Sequence, residues 1–158
     1  MTDKAGLKRL LILDDDADFR KLLLHYLRKI FSGVEIEEFD PVARGVPGED
    51  FDWSRYDVLV LDYYLCIHNV TGLDILQANR KNRLFPAAIM LTGAGNEEVA
   101  VRALKAGVYD YLRKENLDKD QLRRSILDAF EKHKVEQQRL SELTNQSNAF
   151  NKIGRAHV

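Results

Sequence analysis

The chain has 158 residues, of which 45% are hydrophobic and 31% charged, and its formal net charge is -1. That composition suits one domain with a real core plus an appendage, and it excludes a disordered chain or an integral membrane protein. Near-neutral charge gives no global case for nucleic-acid binding, the single cysteine Cys66 leaves no internal disulfide, and the polar residues 1–9 lack a signal-peptide core, so a cytoplasmic location is expected.

Leu10, Leu11, Ile12 and Leu13 form a short apolar run that reads as a buried strand, and it ends in Asp14, Asp15 and Asp16. Asp16 suits the start of a helix in which Phe19, Leu22, Leu23, Tyr26, Leu27 and Ile30 recur at helical spacing, with Gly33 as the stop. A helix start accounts for one aspartate. Asp14 and Asp15 remain crowded at a strand end, where a hard divalent cation finds oxygen ligands. Residues 34–39 predict a second strand. Over residues 40–56, Pro41, Gly45, Pro47 and Gly48 break up any long helix. At most a short helix fits before Phe51, Trp53 and Tyr56, aromatics expected to pack against the edge of the sheet.

Val58, Leu59, Val60 and Leu61 form a central strand buried on both faces, and Asp62 ends it. Residues 63–71 predict a loop, Gly72 opens a helical stretch over residues 73–82, and Pro86 marks a turn. Residues 87–91 form another buried strand, followed by Thr92, Gly93, Ala94 and Gly95, a hydroxyl and small residues that leave room for a ligand. Asn96 is placed to cap a helix running to Lys105, with Val99, Ala100, Ala103 and Leu104 inward and Gly107 closing it. Residues 108–112 predict a fifth strand ahead of Arg113 and Lys114, and a long helix begins at Leu117. Strands alternating with helices predict an α/β fold, a five-stranded parallel doubly wound sheet with right-handed crossovers and an extended C-terminal helix. Asp14, Asp15, Asp62, Thr92 and Lys114 then all fall at the carboxyl ends of strands, the edge at which ligands bind.

The runs LLILDDD at 10–16, VLVLD at 58–62, LTG at 91–93 and AGVYDYLRK at 106–114 resemble, in order and spacing, the receiver domain of bacterial two-component response regulators. The resemblance covers about residues 7–130. It implies a flavodoxin-like sheet and a place in a phosphorelay. Asp62 would be the phosphoacceptor, taking a phosphoryl group from a histidine kinase or phosphotransfer protein. Asp14, Asp15 and Asp62 would hold Mg²⁺ together with the backbone carbonyl of Tyr64. Lys114 would pair with one phosphoryl oxygen and the Thr92 hydroxyl would donate to another. Tyr111 aligns with the aromatic switch that follows the threonine, with Tyr109 a neighbour of the same type. A carboxylate is a poor nucleophile, but phosphoryl transfer has a loose transition state that rewards positioning and charge neutralisation. The implied activity is autocatalysed phosphoryl acceptance and dephosphorylation, not enzymatic turnover.

The sequence departs from this pattern near the acceptor. Cys66 stands where the family has a proline, and Gly72 comes two residues late, so the loop over 63–71 is longer than usual. His68 in that loop is expected to be exposed. Gly93 replaces an alanine, and Glu115 replaces a proline whose cis bond is then expected to be trans. Beyond residue 117, Leu122, Ile126, Ala129, His133, Glu136, Leu140, Leu143, Ser147 and Phe150 alternate in fours and threes as a heptad seam with polar interruptions. The expected organisation is an N-terminal tail (1–6), a receiver domain (7–130), and a helical or coiled-coil linker (131–152) to an output domain missing from the sequence, with a possible homodimer through this helix. The final residues 153–158, IGRAHV, resemble a translated sequencing adapter, a non-native tail.

Two other readings differ in class. A hydrolase with an aspartyl nucleophile would carry a second Asp two residues beyond Asp62, where Tyr64 stands, and a cap for which the chain has no room. A phosphate-independent receiver-like protein-interaction module is kept open by the long loop and opposed by the intact acidic set and Lys114. No helix-turn-helix pattern follows the domain, so direct nucleic-acid contact is not expected, and neither is a membrane.

Overall fold

The computed structural model describes residues 6–93 and 97–156, with side chains up to residue 152. The cap expected at Asn96 and the tail before residue 6 lie outside the described residues, and of the final segment only helical backbone to Ala156 is described.

Three strands with no polar face organise the chain: β1 (Arg9–Leu13), β3 (Val58–Leu61) and β6 (Ala87–Thr92). Strands apolar on both faces are stable only when helices cover both sides, which forces a parallel sheet with crossovers. With β2 (Glu35–Phe39) and β7 (Asp110–Arg113), they form one parallel sheet in the order β2-β1-β3-β6-β7. Alternation along the strands splits the core. Leu10, Ile12, Val58, Val60, Ile89 and Leu91 face α1 (Ala17–Ile30) and α5 (Lys119–Ala156). Leu11, Leu13, Leu59, Leu61, Ala88 and Met90 face α3 (Gly72–Ala78) and α4 (Glu97–Lys105). The fold is the doubly wound one expected.

Asp16 caps α1, its carboxylate accepting from the amides of Asp18 and Phe19. Leu23 and Leu27 are fully buried, whereas Leu22 sits on the outer flank, 43% exposed. Leu104 of α4 is likewise exposed, and Val99 and Ala103 alone make that helix's buried contact, so two of the inward positions expected from periodicity face solvent. Between β2 and β3 only α2 (Pro41–Arg44) and a 3-10 turn (Trp53–Arg55) form. The aromatics pack over the sheet edge as expected, with Phe51 and Trp53 centroids 4.6 Å apart and Trp53 and Phe85 4.7 Å apart.

The segment 63–71 is not a loop. It forms a hairpin of β4 (Tyr64–Ile67) and β5 (Val70–Thr71), turning through the exposed His68 and through Asn69 at φ 57, a left-handed conformation that asparagine tolerates. Tyr64 pairs with Thr71 and Ile67 with Val70, so Leu65 and Cys66 bulge out of register. The bulge buries Leu65 and leaves Cys66 exposed at φ 51. It also absorbs the two residues by which Gly72 lags. Gly72 lies directly under the end of β3, its amide donating to the Tyr63 carbonyl at 2.7 Å. A side chain there would overlap the Asp62 carbonyl oxygen and press on Leu61 and Met90.

Three boundaries differ from expectation. α3 ends at Ala78, short of residue 82, where the Asn79 side-chain amide donates to the Ile75 carbonyl and the Asn82 side chain accepts the Leu84 amide. β7 starts at Asp110, and α5 at Lys119. All peptide bonds are trans among the described residues, including the one before Glu115. In α5, Leu122, Ile126 and Ala129 are buried against the sheet, so the first three positions of the heptad seam belong to the domain's own core. Beyond it the helix projects, with Leu143 and Phe150 exposed.

The Gly72 contact makes a direct prediction. Gly72→Ala should lower the unfolding free energy by about 1–3 kcal/mol, as overpacking does. Gly93→Ala, with nothing near the added carbon, should stay within about 0.5 kcal/mol of the parent. Urea denaturation of the three proteins checks both.

Candidate functional site

The last residue of one strand and the residues that follow three others converge. Asp14 follows β1 and is 2% exposed, Asp62 follows β3 and is 4% exposed, Thr92 ends β6 at 1%, and Lys114 follows β7. The ladder continues past the strands: the Asp62 amide donates to the Leu13 carbonyl at 2.9 Å and the Lys114 amide to the Thr92 carbonyl at 3.0 Å. These two bonds set the side chains side by side.

The Lys114 ammonium lies 2.7 Å from Asp14 Oδ2 and 3.0 Å from Asp62 Oδ2, over the ring of Phe19 at 4.5 Å. One oxygen each from Asp14, Asp15 and Asp62 falls within 4.8 Å of the others. One ammonium therefore faces three carboxylates. Burial, reinforced by the charge of Asp14 and only partly offset by Lys114, pushes the Asp62 carboxyl up to about 8. Burial also raises Asp14 against its bond to Lys114. For Asp15 burial is outweighed by hydrogen bonds from the Cys66 thiol and from Asp62, and its carboxyl stays below the ordinary value. Lys114 loses solvation but gains more from Asp14 and Asp62, so its ammonium is held above the usual lysine range.

This set suits a hard divalent cation: three convergent carboxylates, oxygen donors only, and a deficit of positive charge that the lysine does not close. Tyr64, two residues past Asp62, opens β4 with its side chain exposed and edge-on to Tyr63 at 4.6 Å between ring centroids. Tyr111 and Tyr109 point to opposite sides of the sheet. Tyr111 packs, half-buried, with the core on the α4 side, while the Tyr109 hydroxyl lies 3.2 Å from His133 Nδ1 of α5.

One contributor was missed from sequence. Arg20 is buried on α1, its Nη1 donating to the Asp14 carbonyl at 2.6 Å and its guanidinium 3.4 Å from both Glu38 and Asp40. It fixes the backbone that carries the acidic pair. The signal was present: Arg20 lies on the same stripe as Leu23 and Leu27, and a charge on an apolar stripe calls for a buried partner.

Residues 10–127 match the response regulator receiver domain. The chain belongs to the response regulator receiver family. It is 36% identical over 107 residues to the acid tolerance regulatory protein ActR of Rhizobium meliloti (strain 1021), covering 68% of this chain and 52% of that protein. It is 32% identical over 114 residues to the transcriptional regulatory protein ResD of Bacillus subtilis (strain 168), covering 71% of this chain and 44% of that one. The receiver thus spans about half the length of the curated relatives it matches. A response regulator receiver domain protein from Clostridium thermocellum superposes with a TM-score of 0.68 at 26% identity, over 82% of this chain and 98% of that chain. Among the described residues of this receiver, no helix is long and apolar enough to cross a membrane. The Cys66 thiol, bonded to Asp15, is placed at the rim of the acidic pocket by the bulge.

The raised Asp62 carboxyl has a definite sign. Its unfolded value is near 4 and its folded value about 8. The stability it contributes is complete below the unfolded value and is lost as pH rises through the folded one. In EDTA, the melting temperature should fall between pH 5 and pH 8. Asp62→Asn should flatten that slope and stabilise the cation-free receiver by about 1–3 kcal/mol at pH 8. Millimolar Mg²⁺ should raise the parent's melting temperature more at pH 8 than at pH 5. Thermal melts across pH check all three, and equal slopes in parent and variant would remove Asp62 as their source.

Proposed function

We propose that Asp62 accepts a phosphoryl group from a histidine kinase or phosphotransfer protein and that the receiver relays this state to an output domain or partner. The observation that carries the reading is the pairing of one buried lysine with Asp14 and Asp62 in a pocket of three carboxylates. A purely structural pocket would balance its charges, whereas this one keeps an excess of oxygens at the ligand-binding edge of the sheet.

In the step, an Asp62 oxygen attacks phosphorus, the bond from phosphorus to the donor's imidazole nitrogen breaks, and the imidazole leaves with the bonding pair. Asp62 must be ionised to attack, and its raised value makes that costly without added positive charge. A divalent cation such as Mg²⁺, held by Asp14, Asp15 and Asp62 with the carbonyl of Tyr64, would supply that charge and offset that of the incoming phosphoryl oxygens. Lys114 then moves its ammonium from the Asp62 carboxylate to a phosphoryl oxygen. The Thr92 hydroxyl, buried at the adjacent strand end, donates to another, and Tyr111, on the α4 side of β7, takes the place of the aromatic switch. Phosphorylation adds charge to a confined site and favours whichever arrangement of these contacts pairs it best. The chemistry is acceptance and hydrolysis at one residue, without turnover of a separate substrate. The acidic pocket and the absence of an acid/base Asp at Tyr64 support this over a hydrolase.

We place the receiver boundary near residue 130, because Ala129 and Phe130 are the last residues of α5 buried in the core, with residues 131–152 linking to the output. Leu143 at 50% exposure and Phe150 at 75% support pairing of two such helices.

Incubation with Mg²⁺ and acetyl phosphate should add one phosphate by intact mass. The adduct should be absent in Asp62→Asn and in EDTA, and Lys114→Ala should slow its formation by about tenfold or more, the loss of a charge-assisted contact in the transition state. No adduct with this donor or a second would leave the phosphate-independent interaction module. For the helix, sedimentation of the free and phosphorylated forms should show a dimer at high concentration. Only monomer in both forms would reject pairing.

A further inference from the structure

The end of the sheet away from the acidic pocket holds a second concavity. α3 stops early, residues 79–86 lead into the start of β6, and α5 runs past them, leaving a cleft of about 640 Å³ between loop and helix. Ala88, at the amino end of β6, is part of its lining, whereas Asp62 and Thr92 lie at the carboxyl ends. A volume of this order takes a small organic ligand.

Its charge is one-sided. Arg80, Lys81, Arg83 and Lys105 line it, and the single carboxylate of the lining, Glu136, is already bonded to Arg139 at 2.7 Å. None of these cations pairs with a carboxylate among the described residues, and Arg83 reaches instead the Thr144 hydroxyl of α5 at 3.3 Å. In a chain of net charge -1 this is not a consequence of composition. Like charges gathered around one concavity repel one another, and low-dielectric walls focus their potential on whatever enters. A bland solvated surface would be interspersed with acids. The walls add the half-buried rings of Phe85 and Tyr109 and the side-chain amide oxygens of Asn79 and Gln137, whose amide nitrogens already meet the Ile75 carbonyl at 2.9 Å and His133 Nε2 at 3.4 Å. A simple inorganic anion would use the cations and waste these walls, and an apolar ligand would leave the charge unbalanced.

We infer that this cleft binds a nucleotide, with its phosphates toward the arginines and lysines and its base against the ring-and-amide wall. The cleft is bounded on one side by the loop and on the other by α5, at the level where the Tyr109 hydroxyl meets His133. An occupant therefore bridges the domain and its projecting helix and fixes the helix's exit independently of the acidic pocket.

The test uses the full chain in EDTA, which keeps metal-nucleotide complexes out of the acidic pocket. Isothermal titration with ATP should give one site with a dissociation constant in the micromolar to low-millimolar range, about -8 to -4 kcal/mol. Pyrophosphate should compete more weakly than ATP, and the double variant Arg80→Gln/Lys105→Gln should weaken ATP binding by about tenfold or more. Gln137→Glu, which adds a carboxylate to the wall without removing a cation, should also weaken it. All three altered residues lie on the surface or at the cleft's mouth, and circular dichroism melts confirm that the variants fold. No heat at millimolar ATP, equal affinity in the folded double variant, or pyrophosphate binding as tightly as ATP would each overturn the assignment.

Discussion

Two buried carboxylates and a half-buried third, gathered around a single ammonium, are the constraint on which this molecule turns. Removing that many like charges from solvent is unfavourable unless something compensates. The compensation comes from the sheet: hydrogen bonds between the Asp62 amide and the Leu13 carbonyl, and between the Lys114 amide and the Thr92 carbonyl, set the spacing. Arg20 adds a buried donor to the carbonyl of Asp14. The apolar strands, the parallel order and the helices on both faces are what make such a rigid platform possible. The instability is local and the rigidity is global, so the pocket stays poised for positive charge rather than collapsing.

The hairpin shows how a fold keeps an essential contact when the sequence between its parts lengthens. Gly72 must lie under Asp62, because no side chain fits there. Two added residues would ordinarily push it away. The bulge at Leu65 and Cys66 removes them from the path, at the cost of one left-handed non-glycine residue, and buries Leu65 as an anchor. Cys66 is left exposed beside Asp15, a position set by geometry rather than by packing.

Much of the fold was legible because its signals are strong and local. Continuous apolar runs at residues 10–13, 58–61 and 87–91 can be little else than strands buried on both sides. The candidate site was legible for the same reason: the carboxylates and the lysine follow those runs directly. What was not legible depends on partners distant in sequence. The hairpin has no alternating pattern, since its register is broken by the bulge. Leu22 and Leu104 lie at helical spacing but on flanks that only the tertiary arrangement defines. Arg20 is explained by Asp14, Glu38 and Asp40 together, and the cationic cleft by an early helix end at Asn79 that depends on side-chain amides.

The continuity of α5 has a mechanical consequence. Leu122 and Ile126 are locked in the core, and the same uninterrupted helix extends to Ala156. At 1.5 Å per residue the portion beyond the buried core, still tied to the domain through Tyr109–His133 and Arg83–Thr144, is roughly 40 Å long, and a tilt of about 5° at its root displaces the far end by ~3 Å. The helix is thus a lever arm whose fulcrum lies in the hydrophobic core. A rearrangement too small to alter the packing of any one side chain becomes, at the tip, a displacement as large as an interatomic contact.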